Sequence, residues 1–83
     1  MSNWALALFD RSVHPTQVAV MEAFDWIGKP FSPVQFAEMG DPLMQVNRVA
    51  YHMRALAAIG LIEVVNTRRV RGAIETIYAP VDP

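Results

Sequence analysis

A mostly helical domain closed by a β-hairpin is the fold class this sequence predicts. Three observations carry it. Apolar residues recur at helical spacing over residues 20–27 and again over 49–59. Between these stretches, Ser32-Pro33-Val34-Gln35 forms a capping box with proline at the first helical position, the start of a short helix. After Gly60 the period changes: two β-branched runs follow, joined by a polar, basic segment that ends in Gly72.

The elements follow in order. Ser2 or Asn3 can cap a short helix over residues 4–10, whose Trp4, Leu6, Leu8 and Phe9 are too apolar to face water on every side. These four either fold back as core on Phe24 and Trp26 or meet a second subunit or another partner. His14-Pro15-Thr16 opens the next helix, since proline suits a first turn whose N–H groups need no partner. Val20, Phe24 and Ile27, with Met21 beside them, form its apolar stripe, and Gly28 supplies the left-handed residue that ends it. The capping-box helix runs over residues 33–39 and stops at Gly40-Asp41-Pro42. The longest helix covers about residues 45–59. Both Asp41 and Asn47 are acceptable caps for it, so the sequence leaves its start open. Its inner face is Val49, His52, Met53, Leu56 and Ile59; its outer face is Asn47, Ala50, Tyr51 and Arg54, with Arg48 at the edge. A strand over 61–65, a basic loop over 66–72 and a returning strand over 73–78 complete the chain. Two helices around a glycine-containing turn, then a hairpin over about 61–79, make one winged helix-turn-helix domain over residues 1–83.

Composition narrows the function classes. With 53% apolar and 18% charged residues, the chain is not disordered. That apolar excess in 83 residues hints at a dimer or partner. There is no cysteine, hence no disulfide, thiolate metal site or cysteine nucleophile. His14 and His52 have no evident third ligand, so no zinc is expected; His52 reads as a packed, hydrogen-bonded residue. No nucleophile is paired with a base and no glycine-rich phosphate loop is present, so no catalytic residue, enzyme activity or cofactor is expected. No run approaches the roughly 20 apolar residues of a membrane span, and no signal peptide is visible, which makes the cytoplasm the default. The net charge of −1 conceals a division. Residues 1–44 carry Arg11 and Lys29 against five carboxylates, a net of −3. Residues 45–72 carry five arginines against Glu63, a net of +4. Polyanion binding depends on such a local field rather than on the total.

Tyr51-His52-Met53-Arg54-Ala55-Leu56, followed by Gly60-Leu61-Ile62-Glu63, resembles the recognition helix and first wing strand of arsenic-repressor-like (ArsR) winged-helix regulators. His14-Pro15-Thr16 is similar to the opening of that family's first core helix, with Gln17 where arginine is usual. Arg69-Val70-Arg71-Gly72-Ala73-Ile74-Glu75, then Tyr78, resembles the wing of actinobacterial members. The resemblance covers roughly residues 10–79. It implies a cytoplasmic, homodimeric, DNA-binding transcription regulator, most often a repressor. The chain departs from the pattern in a longer turn between the two helices, in having no further C-terminal helix to complete the usual dimer, and in lacking the metal-sensing cysteines.

On such a fold the start of the second helix meets base edges in the major groove. Here it offers Gln45, Asn47, Arg48 and Tyr51, of which Asn and Gln suit adenine and Arg suits guanine. Arg54, a turn later, suits a phosphate. Thr67, Arg68, Arg69 and Arg71 of the wing can meet backbone or minor groove. Each has a plainer reading: surface arginines are usually solvated, and Asn47 is equally good as a cap. The competing function is a winged-helix adaptor that binds protein and not DNA, since fold alone does not fix function.

Overall fold

The computed structural model describes Trp4, Ala5, Leu8 and residues 14–40 and 44–81. Helix α1, Pro15–Ile27, starts because the His14 ring replaces a missing backbone partner: its Nδ1 accepts the Thr16 N–H at 3.1 Å. The helix buries Val20, Met21 and Phe24 and ends at Gly28, whose φ of 69° lets its N–H reach the Phe24 carbonyl at 3.0 Å. Helix α2, Pro33–Met39, opens on the expected capping box. The Ser32 Oγ accepts the Gln35 N–H, and the Gln35 Oε1 accepts the Ser32 N–H at 2.9 Å. Helix α3, Val46–Ala58, turns Val49, Met53 and Leu56 inward, and Gly60 at φ 81° releases the chain into the hairpin.

Strands β1, Ile62–Val70, and β2, Ala73–Pro80, pair antiparallel. The turn is only Arg71 and Gly72, both at positive φ (52° and 80°), the geometry whose twist matches a hairpin. Residues 66–70, expected as loop, are therefore strand. Their polar composition hid this, because Thr67↔Thr76 and Arg68↔Glu75 are cross-strand pairs that stabilise a ribbon without burial. One bulge lies between Val64 and Asn66. Phe31 adds a single bridge on the far side of β2: its N–H and C=O bond Tyr78 at 3.0 and 2.9 Å.

The core forms where these pieces meet. Phe31 stacks on Phe24 with ring centroids 3.9 Å apart and reaches Phe36 at 5.7 Å. Met53 and Leu56 of α3 and Ile62 and Tyr78 of the hairpin close over them. Three helices followed by a two-stranded wing, among the described residues, give the winged helix-turn-helix layout.

Three expectations need correction. Trp26 is 89% exposed and lines no core, and Ile27 at the helix end is also exposed, because the buried stripe of α1 stops at Phe24. Leu8 is 2% exposed and belongs to the core, so it is not available as an interface residue. Trp4 packs partly on that core and its indole N–H donates to Asp25 at 2.8 Å. Leu6 and Phe9 lie outside the described residues. Asn47 does not cap α3. Gln45 is the cap residue and its side chain makes no capping bond; Asn47 sits in the first turn, and Asp41 is outside the described residues.

Candidate nucleic-acid interface

The start of α3 is chemically open. A helix leaves its first N–H groups without intrahelical partners, and here no side chain of the cap residue takes one. The positive end of this 13-residue helix lies beside the exposed side chain of Arg48. Thr16, Met44, Gln45, Arg48 and Val49 line a recess of about 440 Å³ at this corner, where the starts of α1 and α3 come together.

Asn47, Arg48, Tyr51 and Arg54 are all exposed along one side of α3. Tyr51 is 62% exposed and keeps one fixed contact, edge-on to the His52 ring at 5.2 Å. His52 lies behind it, half-buried, stacked on His14 with centroids 4.1 Å apart. Gln17 Nε2 stands 3.2 Å from His52 Nδ1, a donor facing an acceptor when the ring is neutral. Burial first, and the neighbouring His14 second, hold the His52 pKa below its ordinary 6.5. Neutral His52 is thus a prop for the helix surface.

A cleft of about 230 Å³ separates the other end of this surface from the wing. Val46, Ala50 and Arg54 form its helix wall, and Ile74, Thr76 and Tyr78 its wing wall. So Arg54 is brought next to β2, whereas Gln45 and Arg48 stand at the opposite corner.

The wing arginines divide into two kinds. Arg68 donates through Nε and Nη2 to one carboxylate oxygen of Glu75, at 3.2 and 2.8 Å. The other oxygen of Glu75 accepts from Ser32 Oγ, the buried cap of α2. The Ser32 hydrogen bond, then those from Arg68, hold the Glu75 carboxyl below the usual carboxylate range. Arg69 and Arg71 are exposed, and among the described residues neither they, Arg48 nor Arg54 has an ion-pair partner. Thr67 is exposed, with its N–H bound to Asn66 Oδ1.

Glu75 and Phe31 were not identified from sequence as anchors of this surface. The Arg71-Gly72 turn held the signal for Glu75, because a two-residue turn there sets Arg68 opposite Glu75. Phe31 carried no pattern of its own. Among the described residues no three His, Asp or Glu side chains come together as metal ligands, and no helix is long and apolar enough to cross a membrane. No protein-family model and no curated protein matches the chain.

Proposed function

We propose that this chain is a sequence-specific DNA-binding regulator of transcription, a repressor of the ArsR-like kind. One observation carries the reading: the described arginines without an ion-pair partner all stand on the outer side of α3 or on the wing. In a helix-turn-helix these are the two surfaces that meet a duplex. Asn47, Arg48 and Tyr51 read base edges in the major groove, with Gln45 at the mouth of the helix. Arg54 and Thr67 take phosphates. Arg69 and Arg71 reach backbone or minor groove, and Arg68 contributes mainly through its hold on Glu75. Two copies on a pseudo-palindromic site, with half-sites about one helical turn apart, complete the reading. That pairing rests on the family resemblance. No reaction and no cofactor belong to it, and the cytoplasm is the compartment it implies.

The test is fluorescence anisotropy of a labelled random duplex at ~50 and ~200 mM salt. Steep loss of affinity across that range is the expected result, because each neutralised phosphate releases counterions. Absence of binding at the lower salt overturns the reading and assigns the adaptor role instead.

A further inference from the structure

Trp26 and Ile27 of α1 and Met39 of α2, all exposed apolar residues, gather in one place. A groove of about 520 Å³ runs between these helices. Ala19, Glu22, Ala23 and Trp26 line one wall, and Met39 and Met44 line the other. None of the outward residues of α3 and none of the wing arginines borders it. Trp26 is 89% and Met39 is 52% exposed. The four wall residues of α1 recur at i, i+3, i+4 and i+7, so they form one continuous stripe.

The residue types specify the occupant. Ala19 and Ala23 keep the floor low enough for a helix backbone to approach closely. Met39 and Met44 are flexible thioethers that adapt to an incoming surface. Trp26 is the kind of anchor that dominates interface energetics. Glu22 stands within the stripe, and a carboxylate covered by an apolar partner needs a cation opposite it. Among the described residues that line the groove there is none, and α1 and α2 contain no lysine or arginine. A second copy docked through the same two helices would bring no cation from them to Glu22. We infer that this groove docks an amphipathic helix of another protein, one whose apolar stripe carries a lysine or arginine facing Glu22.

The probe is a labelled synthetic amphipathic helix of about 16 residues, with a leucine stripe bearing one arginine, compared with the same peptide bearing glutamate there. Anisotropy follows binding, and tryptophan emission reports burial of the indole. Saturable binding of the arginine peptide with a blue shift is expected. Trp26→Ala should weaken it about tenfold or more. Glu22→Arg should reverse the preference between the two peptides, and far-UV circular dichroism confirms that both variants fold. Binding of neither peptide, equal binding of both, or indifference to Glu22→Arg overturns the inference. So does sedimentation showing concentration-dependent self-association that Trp26→Ala abolishes, which would assign the groove to a second copy. No DNA enters the titration, so its outcome is independent of the DNA-binding reading.

Discussion

Arg71 holds a backbone conformation that a residue with a Cβ rarely adopts, and it does so at the point where the wing is farthest from the core. The left-handed region costs an ordinary L-residue about 1–2 kcal/mol, and asparagine tolerates it better. Arg71→Asn should therefore raise stability by about 0.5–1 kcal/mol in urea unfolding, since Asn-Gly is the favoured sequence for this turn. The same change should weaken binding to every DNA sequence and reduce the salt slope by about one. Higher stability with unaltered DNA affinity would remove Arg71 from the interface. Arg69→Ala should also weaken all sequences alike. Arg48→Ala or Asn47→Ala should instead shift the preferred site in a selection from random duplexes. At this scale the sequence was partly legible. Ser32, Gly28 and Gly60 announced their roles because capping and left-handed turns are local chemistry. Trp26 did not, because the helical phase that buries Val20, Met21 and Phe24 turns a residue two places later out to solvent.

The wing and α2 are joined as elements by one hydroxyl. Ser32 caps its own helix and also donates to Glu75 of β2, which in turn holds Arg68. Ser32→Ala should cost about 0.5–2 kcal/mol by thermal unfolding, the usual range for a lost cap. A loss no greater than a few tenths would show that water replaces the hydroxyl at both partners. The ion pair itself adds little, since Arg68 is half exposed. Acid should act on two groups in turn. His52 has a folded pKa below 6.5, so the unfolded chain binds the proton more readily and stability falls as pH drops below about that value. The Glu75 carboxyl is also depressed; its contribution is present above the ordinary glutamate range and is lost as pH falls through its folded pKa. Unfolding midpoints measured from pH 7.5 downward should decline in that order, and His52→Gln should remove the first decline. At this scale the helices were legible and the wing was half legible. Ladder hydrogen bonds belong to the backbone, so an exposed strand such as 66–70 leaves no apolar pattern to read. The start of α3 was obscure for a related reason: Gln45 makes no capping bond for the sequence to advertise.

At the scale of the whole molecule, a small core carries everything. An 83-residue domain has a total stability of about 4–12 kcal/mol. Leu56 is fully buried, and truncating such a leucine to alanine typically costs about 2–5 kcal/mol. Leu56→Ala should consequently leave a large unfolded population, visible as a lost or strongly lowered urea midpoint. A midpoint within a few tenths molar of the parent would mean that the core relaxes around the gap. The division of charge was legible from sequence, and the structure turns it into geography: carboxylates but no cations on α1 and α2, and arginines without an ion-pair partner among the described residues on α3 and the wing. Only two hairpin residues, Ile62 and Tyr78, enter the core, and Phe31 clamps Tyr78 through both of its backbone groups. That single bridge should separate two timescales. Amides near Phe31 and Tyr78 are expected to exchange with solvent deuterium only when the whole fold opens, and those beyond the Val64/Asn66 bulge through local parting of the two strands; equal protection along the hairpin would refute this. Arg69 and Arg71 thus ride on the faster part. Under the DNA-binding reading, ordering them on a phosphate backbone costs conformational entropy and lowers the affinity of the contact.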